Sequence, residues 1–185
     1  MIEAIAARRS IRKYTPQPVP DALIHTLLES ARLAPSGRNT QPWHFIVIRD
    51  QQRKEQLVDV CGKQSWMLSA PVFIACIADP RTRIAPEIPL TVDELSAHKE
   101  LKLVLRDTAI GIEHLVLEAV QQGLGTCWVA QFTQEQIRPL LGVPEDRYVV
   151  SIVTLGYPAE APAARIRKNM VDIVHYECWS EKRNK

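Results

Sequence analysis

The sequence lacks the signatures that most often mark a catalyst of this size. It contains no G-x-S-x-G, no H-E-x-x-H and no phosphate-binding P-loop, which removes the common hydrolase, zinc-protease and nucleoside-triphosphatase readings. Its four cysteines, Cys61, Cys76, Cys127 and Cys178, stand far apart with no C-x-x-C among them. That spacing excludes the usual iron–sulfur and structural zinc patterns and favours free thiols in a reducing compartment. The five histidines are scattered, none at metal-ligand spacing from another, and each reads as structural. No apolar stretch approaches the length of a membrane span; the best, residues 71–78, is short. Arg8-Arg9 is not followed by an apolar h-region, so no twin-arginine export signal is read and the expected location is the cytoplasm. Internal repeats and low-complexity tracts are absent as well. Where nucleophile, metal and acid–base pair are all missing, a cofactor that carries the chemistry becomes the attractive alternative.

What is present is an ordinary globular composition: 185 residues, 46% apolar, 24% charged, net charge +2. The length fits one domain over residues 1–185, with ample chain for a core. The near-neutral balance argues against nucleic acid as the main partner. The charge is unevenly placed, however. Residues 1–20 carry Arg8, Arg9, Arg12 and Lys13 against Glu3, and residues 163–185 carry six basic against three acidic groups. Each end therefore has an excess of three positive charges, which leaves the middle at −4. Two basic ends on an acidic middle are either two solvated tails or two halves of one small-anion site.

Along the chain, residues 2–8 read as a short helix with Ile2, Ile5 and Ala6 on one face. Arg8-Arg9-Ser10-Ile11-Arg12 follows; guanidinium forks and a hydroxyl suit a phosphate monoester, although basic residues at a helix end also complement its dipole. Pro16, Pro18 and Pro20 mark an extended link, and Leu23, Ile24, Leu27, Leu28 and Ala31 recur at helical spacing after it. Residues 45–48 form an apolar strand, 53–60 a short helix, and 72–78 a buried strand. Residues 79–93 hold three prolines and no clear period, the pattern of a mobile loop able to act as a lid or to line a substrate pocket. The longest helical pattern covers 95–122, and Gly111 inside it calls for the close approach of another helix or a ligand. Gly123-Leu124-Gly125 comes after a helix and before a strand, the reverse of a dinucleotide fingerprint, and reads as a helix stop. Thr133 and Gln136 fit a capping box, Pro139 should kink or shorten the helix they begin, and 148–155 is a β-branched strand. Residues 159–169 look like an arm.

The segment Ala34-Pro35-Ser36-Gly37-Arg38-Asn39-Thr40-Gln41-Pro42-Trp43 joins a helix to a strand. It is dense in hydroxyl and amide groups and suits either a plain surface connection or the polar edge of a flat heterocycle. Taken with the two basic ends, it completes an ordered set. Arg8-Arg9-Ser10-Ile11-Arg12, Pro35-Ser36 through Asn39, Gln41-Pro42-Trp43, Gly123-Leu124-Gly125-Thr126-Cys127-Trp128, Gly156-Tyr157-Pro158 and Arg165-x-Arg167-Lys168 together resemble the nitroreductase family of flavoproteins, in its short form.

That resemblance implies an α+β fold with a mixed sheet flanked by helices, an intertwined homodimer, and FMN bound between subunits. By the same likeness Arg8, Arg9, Ser10 and Arg12 hold the phosphate and ribityl end, with Arg165 and Arg167 closing on it. Pro35, Ser36 and Arg38 come from the partner subunit, Asn39 and Gln41 address the ring edge, and Trp128, Val129 and Ala130 run beside the isoalloxazine. Gln64 is a looser candidate for the ribityl chain. The implied reaction is ping-pong: NAD(P)H gives hydride to the flavin and leaves, and a nitroaromatic or quinone takes its place. Reductive dehalogenation, flavin breakdown, or flavin binding without turnover are the alternatives on the same scaffold. Ala130 and Gln131 stand where some relatives have Gly or Glu, and Asn169 stands where Pro is common.

Overall fold

Strand Val72–Ala78 (β2) is buried along its whole length, and the molecule is layered around it. The computed structural model describes residues 1–179; Lys182, Arg183 and Lys185, part of the second basic end, lie outside the described residues. The other strands are Trp43–Ile48 (β1), Gly125–Val129 (β3) and Tyr148–Gly156 (β4), and the sheet order is β1-β2-β4-β3. The mixed sheet that the resemblance implies is realised as antiparallel pairing between all these strands, with a parallel bridge added where Ser10 meets Thr126.

The period-2 alternation of a strand explains why β2 reads as an unbroken apolar run. Phe73, Ala75 and Ile77 join one core with Leu57, Met67 and Ile137, while Val72, Ile74 and Cys76 join another with Leu27, Ile112 and Leu115. Helices Gln51–Val60 (α3) and Gln134–Leu141 (α5) cover the first face. Helices Asp21–Arg32 (α2) and Lys99–Gln121 (α4) cover the second. Short helices Glu3–Ala7 (α1) and Met170–Ile173 (α6) lie at the two ends of the described chain. No helix of the described residues is long and apolar enough to cross a membrane.

Local sequence accounts for most boundaries. Asp50 caps α3 by accepting from the Arg53 N–H at 2.8 Å. Gly123, at φ +72, ends α4, and the Leu124 N–H returns to the Ala119 carbonyl at 2.8 Å. Gly111 lies under the Ala31 carbonyl of α2 and the Trp43 ring, the close approach that its place in a helix calls for. Thr133 caps α5, and the helix continues through Pro139 to a left-handed Gly142 after only eight residues.

Three expectations are corrected. The inward residue of α1 is Ala4, whereas Ile2, Ile5 and Ala6 are exposed. The long helix starts at Lys99 behind a His98 cap, not at Leu95, which is exposed. Residues 79–93 are fastened rather than loose: Arg81 binds Asp146 at 2.7 Å, Arg147 binds Asp79 at 2.9 Å, and Ile84 and Val92 are buried. A three-residue turn, Pro80–Thr82, is capped by the Asp79 carboxylate.

Candidate functional site

Residues 10–15 leave α1 and lie along the β3 edge. The Ile11 N–H donates to the Thr126 carbonyl and the Thr15 N–H to the Tyr157 carbonyl, both at 2.9 Å. The Ala159 N–H in turn donates to the Lys13 carbonyl at 2.9 Å, so the start of the arm runs beside this segment. The Glu160 carboxylate accepts the Arg12 backbone N–H at 2.6 Å. Beside these contacts opens a cavity of about 650 Å³, lined by Arg8, Arg9, Ser10, Arg12, Glu160, Arg165 and Arg167 among others. The two basic segments singled out in the sequence therefore meet.

Among the described residues none of Arg8, Arg9, Arg12, Arg165 and Arg167 forms an ion pair. Arg9 turns one nitrogen back to the Ala6 and Arg8 carbonyls, both at 2.8 Å, and so also closes the end of α1. Arg12 sits over the Trp66 ring, 5.6 Å from its centroid. Burial pushes the Cys127 thiol up; Arg12, a hydrogen bond from Ser10 and Arg8 pull against it, so the cationic field reaches β3. A donor set of guanidinium groups and a hydroxyl around a void of this size fits the phosphate and ribityl end of a mononucleotide.

The residues expected from the partner subunit and at the ring edge lie apart from this chain's own cationic cavity. Pro35, Ser36, Arg38, Asn39 and Gln41 are not among those lining the cationic cavity. They surround a single turn, Gly37–Asn39, in which Arg38, Asn39 and then Gln41 adopt φ of +58, +57 and +47. Left-handed backbone costs a non-glycine residue roughly 1–2 kcal/mol, so three such residues require external support. The Ser36 hydroxyl accepts the Gln41 N–H at 2.9 Å. Asp107 and Arg83 hold Gly37 from outside the loop, at 3.0 and 2.8 Å. The side chains of Arg38, Asn39 and Gln41 remain exposed.

Trp128 and Ala130 are exposed on either side of Val129, whose side chain is in the core. Only the backbone of Val129 is thus available to a ligand at this edge. Ala130 lines a second, more open hollow together with Gly62, Lys63 and Gln131. Gln64 does not line the cationic cavity; its amide donates to the Cys61 carbonyl at 2.9 Å and accepts from the Trp66 indole at 3.2 Å.

Sequence reasoning missed Glu160, Trp66, Arg83 and Asp107. Asp107 left a trace: a carboxylate on the buried face of α4, between Val104 and Gly111, breaks an otherwise apolar pattern. The others are joined to the site only through contacts distant in sequence.

The chain is similar to known proteins over nearly its whole length. The sequence pattern of the nitroreductase family matches residues 5–157. A protein of Methanothermobacter thermautotrophicus, which carries the provisional name NADH dehydrogenase/NAD(P)H nitroreductase, is 33% identical over 183 residues, 97% of this chain and 87% of its own length. The FMN reductase [NAD(P)H] of Bacillus subtilis is 29% identical over 97% of this chain and 74% of its own length. Among solved structures, the NADPH:FMN oxidoreductase of Vibrio harveyi complexed with NAD+ superposes with a TM-score of 0.86 at 27% identity, covering 97% of this chain and 78% of that one. The match begins in α1, ahead of the arginines, and runs to the end of β4 and the tyrosine beyond it; the chain belongs to the nitroreductase family.

Proposed function

We propose that this protein is an FMN-dependent oxidoreductase that takes hydride from NAD(P)H and reduces nitroaromatic or quinone-type acceptors. We further propose that residues 1–185 act as one FMN-binding domain, paired with a second copy in the cytoplasm. The observation that carries the reading is the meeting of Arg8, Arg9 and Arg12 with Arg165 and Arg167 around one cavity, without ion-pair partners among the described residues. The names of the B. subtilis and V. harveyi relatives point to the same cofactor.

When bound, FMN supplies the two-electron chemistry. The chain has to bind it, orient it and leave one face open. Arg8, Ser10, Arg12, Arg165 and Arg167 hold the phosphate end, each charge-assisted bond contributing roughly 1.5–3 kcal/mol. Glu160 forms no ion pair with those guanidinium groups among the described residues; it accepts the Arg12 backbone N–H and so fixes the segment that carries them. The backbone of residues 128–130 would run beside the ring, and donors from the 36–41 loop of the partner copy would address its polar edge and favour its reduced form.

The pairing of two copies is supported by exposed apolar side chains on the arm and in the residues that follow it. Ile166 is 99% exposed, Tyr176 84% and Trp179 80%, with Met170 and Val171 beside them. Such residues gain by burial at roughly 25 cal/mol per Å². Placement in a reducing compartment is supported by Cys61, Cys76, Cys127 and Cys178 all being free.

The test is spectroscopic. Purified protein should be yellow or take up FMN, bleach on addition of NADH or NADPH, and recover its colour with a nitroarene or a quinone. Flavin that stays oxidised in excess NADH and NADPH would instead indicate binding without turnover. Arg8→Ala combined with Arg167→Ala should weaken FMN binding at least 100-fold with the fold retained.

A further inference from the structure

Gly37 is gripped at both ends of its peptide hydrogen-bonding capacity. Asp107 Oδ2 accepts its N–H at 3.0 Å, and Arg83 Nη2 donates to its carbonyl at 2.8 Å. The two charges also hold one another at 3.2 Å, and their side chains are only 8% and 9% exposed. A Cβ on residue 37 would overlap the Arg83 guanidinium, so the loop carries glycine where the grip closes. Arg83 has a further contact with Glu100 at 3.6 Å, while its Nε is buried without a partner.

A buried ion pair is a poor way to gain stability, since apolar residues of similar size usually do as well. Its value here is geometric. One partner comes from the middle of α4 and the other from the fastened 79–93 segment, so two rigid parts of the scaffold converge on one glycine. Immediately after that glycine the backbone enters the left-handed region at Arg38 and Asn39 and again at Gln41. Strained backbone of this kind persists only where its surroundings over-determine it, and it concentrates at functional sites. Asp107 and Arg83 supply that determination from outside the loop.

We infer that Arg83 and Asp107 are positioning residues: they hold the 36–41 loop in the one geometry that meets the edge of the flavin ring, and so set how readily bound FMN is reduced rather than how tightly it binds. The inference rests on the FMN reading above. Affinity is assigned to the arginine cluster, and neither Arg83 nor Asp107 lines that cavity. A loop displaced by an ångström still leaves the phosphate end held, but it misplaces the donors that stabilise the charge of the reduced ring.

The experiment uses full-length protein loaded with FMN and the variants Asp107→Asn, Asp107→Ala, Arg83→Met and Arg83→Lys. FMN affinity, the visible absorption band, the midpoint potential and the rate of bleaching by NADH or NADPH, whichever is faster with wild type, are measured for each. Asp107→Ala and Arg83→Met should keep FMN affinity within threefold of wild type, shift the absorption band, lower the potential and slow bleaching at least tenfold. Asp107→Asn keeps an oxygen to accept the Gly37 N–H and should lose only two- to fivefold in rate, as should Arg83→Lys. If the alanine or methionine variants do not fold, the conservative pair decides: bleaching at the wild-type rate in both overturns the inference. An equal loss in Asn and Ala variants, or a loss of FMN affinity in parallel with rate, also overturns it. Wild-type protein that takes up no FMN, or binding unaffected by Arg8→Ala with Arg167→Ala, overturns the functional reading and this inference with it. Arginine-dependent binding combined with wild-type rates in the Arg83 and Asp107 variants overturns this inference alone.

Discussion

Gly125 and Gly156 face one another across β3 and β4. A Cβ on Gly125 would come within 2.7 Å of Ile11 Cγ1, and one on Gly156 within 2.6 Å of Pro71 Cδ and 3.0 Å of Tyr14 Cδ1. The two missing side chains form the seat on which the segment after Arg8-Arg9 rests. Ile11 and Tyr14 press against the sheet there, and the Tyr14 hydroxyl closes the contact on Thr154 Oγ1 at 2.7 Å.

Adding a methyl group to that seat should lift the arginines. Gly125→Ala is expected to destabilise the fold by roughly 1–3 kcal/mol through overpacking and to weaken FMN binding several-fold. Urea denaturation and a flavin titration measure the two effects. Lost stability with unchanged affinity would show that the seat does not govern the cradle.

The Arg12–Trp66 stack makes a smaller claim. A cation over an aromatic face is worth about 0.5–1 kcal/mol at an exposed site. Trp66→Leu should therefore weaken FMN binding about two- to fivefold and leave the far-UV spectrum unchanged.

Gln134 acts as a substitute strand neighbour. Its side chain is buried, and its amide both donates to the Val149 carbonyl at 2.9 Å and accepts the Val149 N–H at 2.8 Å, beside the register shift between Cys76 and Ile77. Gln134→Met would leave two buried backbone groups unpaired, at roughly 1–3 kcal/mol each. A fall of about 2–5 kcal/mol in unfolding free energy is expected, against at most about 1 kcal/mol for Gln136→Met, whose exposed side chain meets only the Thr133 cap hydroxyl among the described residues.

Alkaline pH should unfold the protein through its buried thiols. Burial pushes Cys61 and Cys76 from an ordinary value of 9.0 up to about 12. Above pH 9 the unfolded chain releases these protons and the folded chain keeps them, so ionisation favours unfolding; below pH 9 both states are protonated and nothing is lost. The slope approaches about 1.4 kcal/mol per pH unit for each thiol. The urea midpoint should be level to pH 8.5 and fall between pH 9 and 11, and Cys76→Ala should make that fall shallower, with the buried Cys127 thiol and, above pH 10, the buried Tyr14 phenol supplying part of what remains.

What the sequence made legible was what depends on near neighbours and on pattern. The apolar run of β2, the helical spacing from Leu23 to Ala31, the stop at Gly123 and the caps all act within a few residues of where they are read. The meeting of the basic segments was one of two readings that the charge allowed, the other being two solvated tails; charge alone does not choose between them, and the shared cavity lining fits the first. The fastening of 79–93 was not, since Arg81 and Asp79 find Asp146 and Arg147 only once the sheet has brought them together. Prolines without a period look the same whether a loop swings or is riveted. The outward turn of Ile2 and Ile5 was equally hidden, because a face is apolar for a partner as readily as for a core. Gly125 was read with Gly123 as part of a stop, yet only Gly123 is one; the role of Gly125 exists only through Ile11, more than a hundred residues upstream.

The hydrogen bond from Arg12 to Glu160 spans 148 positions of sequence. A contact of that reach closes late, after local helices and hairpins have already formed. A polypeptide threading from the ribosome owns a place to hold an anion only once Glu160, Arg165 and Arg167 have emerged and joined its first residues, and loading with nucleotide becomes a report that the two ends have met.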